Sequence, residues 1–411
     1  MIPFREEPRE FHARNAPSAM QHTDFVDGEV QRLLEAGIIA RVALQPPGVC
    51  GLAVEDSRTK LRLIFNGVPV NKFVIAPKFK YESVRDACDL VVPGDLVVQF
   101  DLHAAYHHGR IWPWHVGWLG VEWRGHFYVF LALPFGLSSA PHAFTKLTRP
   151  VVRYLRANGV RCVLMLDDGL VVLRPSDVAQ VAFVRDTITR AGFTIAEEKS
   201  NWVPSPRAEA FLGYTIDIQE GTLAISRKRV EKLTAQLSNI SVTKPVRRRE
   251  LASLAGRITS TMLVLGGVTR LHTRAMHELS GGDTADWDAR VAWSPSALQE
   301  VAFWKEMAAA GGLETTVSIW QMRMPVDVIV HSDAGERGAG VVSGAERLPF
   351  HLPAEYIGSS STLRELWAVL AGVRALAPSL RDKRVRWCTD NQAAARILQI
   401  GSPAADCQAV A

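Results

Sequence analysis

Two short apolar runs, Val160–Leu166 and Gly169–Leu173, flank the dipeptide Asp167-Asp168. Runs of this length around a polar break read as two strands with the acids in the turn between them. Asp also favours turns on its own account, so the pair is compatible with plain turn chemistry. A third apolar run, Leu96–Phe100, ends at Asp101. If these strands share a sheet, three carboxylates meet at one edge. Hard divalent cations take oxygen ligands, and two of them about 3.5–4 Å apart can clamp the attacking and leaving oxygens of an in-line displacement.

The surrounding chain alternates strands and helices in an α+β pattern. Val30, Leu33, Leu34 and Ile38 recur at helical spacing, and strands are expected at 52–54 and 60–65. Lys60, Arg62 and Ile64 alternate, so two cations share one strand face, either solvated or turned to an anion. Residues 111–131 read as β-hairpins in which Trp112, Trp114, Trp118 and Trp123 alternate, as core or as stacking platforms for bases. Pro141 opens a helix carrying Phe144, Leu147, Val151 and Leu155, and Ser176 caps another that closes near Gly192. After Gly221 come helices over 226–240 and 247–265, then a looser stretch over 280–325. A new α/β unit begins at Val326.

These blocks resemble the palm of reverse transcriptases. Gln99-Phe-Asp-Leu-His-Ala-Ala-Tyr106 is similar to that family's first aspartate block, and Met165-Leu-Asp-Asp168 to its second. Leu133-Pro-Phe-Gly-Leu-Ser-Ser-Ala-Pro141 resembles its template and nucleotide block. The likeness covers roughly residues 28–220 and is nearer to long-terminal-repeat and DIRS-class retrotransposons than to telomerase or group II intron enzymes. It implies an RNA- and DNA-directed DNA polymerase that takes deoxynucleoside triphosphates, an RNA or DNA template-primer duplex, and Mg²⁺ or Mn²⁺.

The resemblance assigns roles residue by residue. Asp101 and Asp167 would bind metal, with Asp168 in support. Lys60 and Arg62 would grip the triphosphate, and Tyr106 would exclude a 2′-hydroxyl unless it is simply core. Phe135 and Gly136 would lie against the nucleotide unless they form a plain turn. Lys199 would protonate the leaving pyrophosphate or pair with Glu197 or Glu198. Leu212, Gly213 and Tyr214 would grip the primer. Met165, Asn66 and Val68 depart from the family's usual Tyr, Asp and Arg, so an inactive fragment that still binds nucleic acid is the alternative. His103, His107 and His108 face solvent or nucleic acid rather than a transition metal.

The C-terminal unit resembles ribonuclease H through His331-Ser-Asp-Ala334, Leu363-Arg-Glu-Leu-Trp367 and Cys388-Thr-Asp-Asn391. Asp333, Glu365 and Asp390 would hold its metals, although Thr362-x-x-Glu365 also fits a capping box and Asp390 an N-cap. The family's fourth motif is not reached by Ala411, so a truncated α/β fold with weak or absent cleavage is expected.

The expected organisation is an N-terminal extension (1–27), a right-hand polymerase fingers and palm (28–220), a helical thumb/connection (221–325) and the ribonuclease H-like domain (326–411). Lys+Arg outnumber Asp+Glu by 47 to 42, and the cation runs at 226–229 and 244–249 suit either a duplex or a solvated helix face. Five dispersed cysteines without a C-x-x-C pair indicate neither a disulfide framework nor a zinc knuckle. A charged, proline-broken start and the lack of a long apolar run point to an intracellular protein of cytoplasm or nucleus, neither secreted nor membrane-bound. Oligomeric state is not legible.

Overall fold

The computed structural model describes residues 1–56, 61–281, 286–321, 326–381, 383–400 and 410. The chain divides into two compact units, Met1–Leu212 and Gly213–Ala411.

Among the described residues, two sheets lie wholly within the first unit. One runs in the order Phe11–His12, Gly48–Asp56, Gly120–Trp123, His126–Phe130, Ile39–Val42, with Leu61–Asn66 added beside Gly48–Asp56. The helix Thr23–Glu35 buries Val26, Val30 and Leu33, which recur every three to four residues. The first 27 residues are woven into this unit: Phe11 and His12 pair in parallel with Gly48 and Val49, and Ala19 and Val26 enter the core.

The hairpin expected over 111–131 is shorter than its alternation suggests. Strands occupy only Gly120–Trp123 and His126–Phe130, joined through Arg124 and Gly125, both at positive φ. Pro113 opens a 3₁₀ turn, Pro113–Leu119, which takes Trp112 and Trp114 out of any strand and leaves Trp114 82% exposed. Trp123 alone follows the strand reading: it is buried, and its indole N–H donates to Asp27 at 2.7 Å.

The second sheet has the order Asn201–Ser205, Leu96–Asp101, Asp168–Leu173, Arg161–Met165. The helix Ala140–Ala157, entered through Pro141, packs Phe144, Val152 and Leu155 against Val98, Val171 and Leu173 of this sheet. A second helix, Gln180–Arg190, adds Val184 and Ile188 to the same core and ends before Gly192, whose φ is 87°. Ser176 does not cap it: that residue lies in a separate 3₁₀ turn and donates to Asp177.

In the second unit, Tyr214–Asp217, Thr222–Ile225 and Thr316–Ser318 form antiparallel pairs. The helices Arg227–Asn239, Arg248–Thr259, Arg274–Ser280 and Pro295–Ala309 share a core around Leu233, Leu254, Met276 and Trp304. The stretch expected to be loose therefore contains a long helix, whose N-cap Ser294 accepts from the Ala297 N–H. The last sheet runs Glu346–His351, Gly338–Ser343, Val328–Ala334, Val385–Cys388, with the final pair parallel. The helix Ser361–Leu380 covers it through Leu376, which packs with Val330 and Val341. Among the described residues no helix is long and apolar enough to cross a membrane.

Candidate active sites

In the first unit Asp101 ends its strand directly opposite Asp168, and Phe100 faces Gly169. The Leu102 N–H donates to the Asp167 carbonyl at 2.9 Å, tying the strand end to the turn that carries the second acid. That turn is tight, with Leu166 at φ 56°. The carboxyls thus reach one sheet edge from two distant stretches of sequence. Burial pushes Asp168 up to about 6, and Asp167 and Asp101 add to the rise. Asp167 is also raised, first by burial.

Lys199 does not pair with its neighbouring acids. Its Nζ donates to Asp101 Oδ1 at 2.9 Å, while Glu197 binds Arg185 at 2.6 Å. The hydrogen bond it donates to Asp101 raises the lysine above its ordinary value. The Asp101 backbone is held as well: its N–H donates to Ser200 Oγ and its carbonyl accepts from Ala196.

Beside this edge lies a cleft of about 600 Å³ whose lining includes Arg62, Phe65, His107, Phe135, Asp167 and Lys199. Arg62 reaches Glu55 at 3.1 Å in an exposed ion pair, an arrangement that holds its guanidinium only weakly. Lys60 lies outside the described residues. Phe135 is 48% exposed and packs on Tyr106, with ring centroids 4.7 Å apart. Burial raises the Tyr106 hydroxyl to about 12, with Tyr81 and Asp167 contributing.

Gly136 is required by its position. Its φ is 111°, and a Cβ there would sit 2.3 Å from the Phe65 carbonyl oxygen. Asn71 secures the same loop by donating to the Gly136 carbonyl at 2.8 Å and accepting from the Ser138 N–H at 2.9 Å. Asn71 lies outside the motifs that stand out in the sequence. No local pattern marks it, because both its partners lie more than 60 residues away.

The histidines divide. His103 is exposed, whereas His107 and His108 are half-buried rather than facing solvent. Burial, aided by Arg32, brings His107 down to about 4. The His108 Nε2 accepts from the Thr194 N–H, which leaves its Nδ1 to donate to the Ala105 carbonyl.

Of the proposed primer-binding residues, Leu212 and Gly213 both have positive φ, at 49° and 82°. Tyr214 is buried in the second unit, donates to the Ser260 carbonyl at 2.6 Å and lies under Arg229. Its hydroxyl is therefore committed to local structure.

In the second unit Asp333, Glu365 and Asp390 each offer a ligand atom, all within 4.8 Å of one another. Among the described residues this is the set of three or more such groups that converges; the trio at 101, 167 and 168 is aligned through its backbone, with one Asp101 oxygen on Lys199. Glu365 is buried and accepts from the Ala334 N–H at 2.9 Å and the Thr389 hydroxyl at 3.1 Å. It takes no part in a capping box, since Ser360 caps the helix through the Leu363 N–H. Asn391, rather than Asp390, accepts from the Ala394 N–H at the next helix. Burial first, opposed by the two hydrogen bonds and aided by Asp333, raises Glu365. Close carboxylates of this kind suit a hard divalent cation.

Residues 94–216 match the family described as "Reverse transcriptase (RNA-dependent DNA polymerase)". Over 291 residues the chain is 21% identical to the Tf2-3 and Tf2-4 transposon polyproteins of Schizosaccharomyces pombe (strain 972 / ATCC 24843), covering 70% of this chain. It spans only 20% of the length of those polyproteins. Among solved structures, the foamy viral protease-reverse transcriptase dRH in complex with double-stranded DNA aligns with all of this chain and 72% of its own, at TM-score 0.61 and 13% identity. The foamy viral protease-reverse transcriptase in complex with an RNA/DNA hybrid aligns at TM-score 0.60 and 13% identity, over all of this chain and 56% of its own. The fold is thus the mixed α+β polymerase fold of retroviral reverse transcriptases.

Proposed function

We propose, on the premise that residues 94–216 are the reverse-transcriptase domain of a retroelement polymerase, that this chain extends a primer with deoxynucleotides on an RNA or DNA template. The observation that carries this reading is the register pair Asp101 and Asp168, with Asp167 beside it, at the edge of a 600 Å³ cleft. Asp101 and Asp167, supported by Asp168, would hold Mg²⁺ or Mn²⁺. Such a bound ion pair neutralises charge developing on the transferred phosphoryl group.

The chain's own residues divide the remaining work. Arg62, with Lys60, binds the triphosphate, and breaking an exposed ion pair to Glu55 costs little when a phosphate replaces it. Tyr106, backed by Phe135 and Phe144, is the ring that would clash with a 2′-hydroxyl. Lys199, kept protonated by Asp101, is the proton donor to the leaving pyrophosphate. In the second unit, Asp333, Glu365 and Asp390 would bind divalent metal and support cleavage of the RNA strand of a hybrid.

Primer extension by the purified chain tests the reading. Asp101→Asn is expected to lower incorporation by roughly 10³-fold, the loss of several kcal/mol of charge stabilisation, while template-primer binding persists. Absence of incorporation by the unmodified chain, with binding retained, would instead mark it as an inactive relic.

A further inference from the structure

The helix Ala140–Ala157 has a second face that the polymerase reading does not use. Lys146, Arg149 and Arg153 follow His142 at steps of four, three and four residues, which aligns them on one side of the helix, while Phe144, Thr148, Val152 and Leu155 bury the other. All three cations are exposed, and among the described residues none has a side-chain hydrogen bond or ion pair.

The loop 76–83 runs beside the start of this stripe. Its Phe79 ring lies 4.9 Å from His142 and 4.4 Å from Tyr81. Lys78 and Lys80 of the loop are exposed too. Its one acid, Glu82, is neutralised by Arg156 at 2.6 Å and accepts from the Leu164 N–H. Just past the loop, Asp86 partly offsets Lys80, which leaves the positive field centred on Lys146, Arg149 and Arg153. It is felt by His142, which burial first, and then Lys146 and Arg149, hold below the usual imidazole value.

The start of the helix lies near the nucleotide cleft: the Phe144 ring meets Tyr106 with centroids 5.8 Å apart, and Tyr106 packs on Phe135 in the cleft wall. From His142 to Arg153 the helix then runs about 16 Å away from that point.

We propose that Phe79, Tyr81 and His142 followed by Lys146, Arg149 and Arg153 form a track for unpaired nucleic acid, the single-stranded template beyond the primer terminus. The identity of the strand rests on the polymerase reading above. A single file of cations at steps of about 5–6 Å suits one phosphate backbone, and aromatic rings gain stacking only from bases that a duplex does not expose. An acidic protein or lipid surface would use the cations and leave the rings idle.

The test measures binding of the full chain to four probes against salt: a template-primer with a one-nucleotide template overhang, the same duplex with a twelve-nucleotide overhang, an unprimed oligonucleotide, and polyglutamate. The unmodified chain should bind the long overhang about tenfold more tightly than the short one. The triple variant Lys146→Glu, Arg149→Glu, Arg153→Glu should lose that advantage, with its salt slope on the long overhang reduced by about two, as three single-strand phosphate contacts require. Its short-overhang affinity should not change. Phe79→Ala should weaken the unprimed strand while leaving polyglutamate binding intact.

No gain from the long overhang in the unmodified chain, with the short duplex still bound, would overturn the track and spare the polymerase reading. Binding of the unprimed strand through the stripe, without binding of either primed duplex, would do the reverse. Parallel losses for polyglutamate and oligonucleotide, indifferent to Phe79→Ala, would reassign the stripe to polyanions in general and also overturn the proposal.

Discussion

Asn71 and Gly136 are joined through the Asn71 side-chain amide, which donates to the Gly136 carbonyl at 2.8 Å. A second close approach sits alongside: a Cβ at Gly67 would fall 2.3 Å from the same carbonyl oxygen. The loop that presents Phe135 to the cleft is therefore fixed from the strand side that carries Arg62. Asn71→Ala removes one hydrogen bond to each of Gly136 and Ser138 and is expected to cost about 1–3 kcal/mol of stability. As a positioning residue it should also raise the KM for the incoming nucleotide, by roughly tenfold with little change in kcat, because looser binding of the ground state is what uniform binding energy controls. Steady-state extension at saturating template-primer measures the split. A drop in melting temperature with KM unchanged would leave Asn71 a purely structural clamp.

Gly169→Ala tests how tightly the acid pair is seated. A Cβ at this position would meet the Phe100 ring at 2.2 Å, and Phe100 is itself stacked on Trp202, with centroids 5.5 Å apart and planes 3° from parallel. Overpacking should destabilise the first unit by about 1–3 kcal/mol, read as a lower denaturant midpoint. Adding Phe100→Leu should return part of that loss. A neutral single variant would mean that the sheet edge yields easily, and that its alignment of Asp101 with Asp168 is soft.

The outcome at Gly169 bears on what the sequence could disclose. Asp101, Asp167 and Asp168 were legible because strand length, apolar content and turn chemistry are local, and the Leu166 turn follows from them. Asp333, Glu365 and Asp390 were legible for the same reason, as ends or starts of elements. What stayed hidden depended on partners distant in sequence. Lys199 has two acids adjacent to it and binds one 98 residues away. Phe11 and His12 look like the end of a tail until Gly48 and Val49 supply their pairing. Thr362 has the spacing of a capping box, but the Leu363 N–H donates to Ser360 instead. Trp112 and Trp114 alternate like strand residues, but Pro113 between them removes a backbone donor and fixes φ, which favoured a 3₁₀ turn.

Glu300 gives the second unit a defined response to acid. It is buried in the helix Pro295–Ala309 and accepts from the Ala275 and Met276 N–H groups at 2.8 and 2.9 Å, at the start of the helix Arg274–Ser280. Burial nevertheless outweighs those bonds and raises it above the usual glutamate value. A raised folded-state value means that the native protein binds the proton more tightly than the unfolded chain. The group's contribution is then fullest below the ordinary glutamate range and is lost as pH rises through the raised value. Glu300→Gln abolishes this titration. The melting-temperature difference, unmodified chain minus variant, should therefore grow as pH falls from neutrality towards the ordinary glutamate range. A difference that is flat or shrinks over that interval would show that the buried carboxyl is better solvated than its surroundings suggest.

The cluster at Asp333, Glu365 and Asp390 should reveal itself through stability even where cleavage is weak. Three acidic side chains whose oxygens lie within 4.8 Å repel one another when ionised, and a divalent cation bound only by the folded state relieves that repulsion. Saturation to ten times Kd stabilises by about 1.4 kcal/mol, from the logarithmic dependence on ligand concentration. Asp390→Asn is the informative variant, because Asn391 rather than Asp390 caps the following helix and the helix start should survive the change. Removing one like charge should raise the melting temperature without metal and flatten its rise with Mn²⁺, relative to the unmodified chain at each concentration. Comparing the two chains cancels any cation bound near Asp101, which both retain. Equal responses to Mn²⁺ in the two proteins would show that these carboxyls converge without holding a metal.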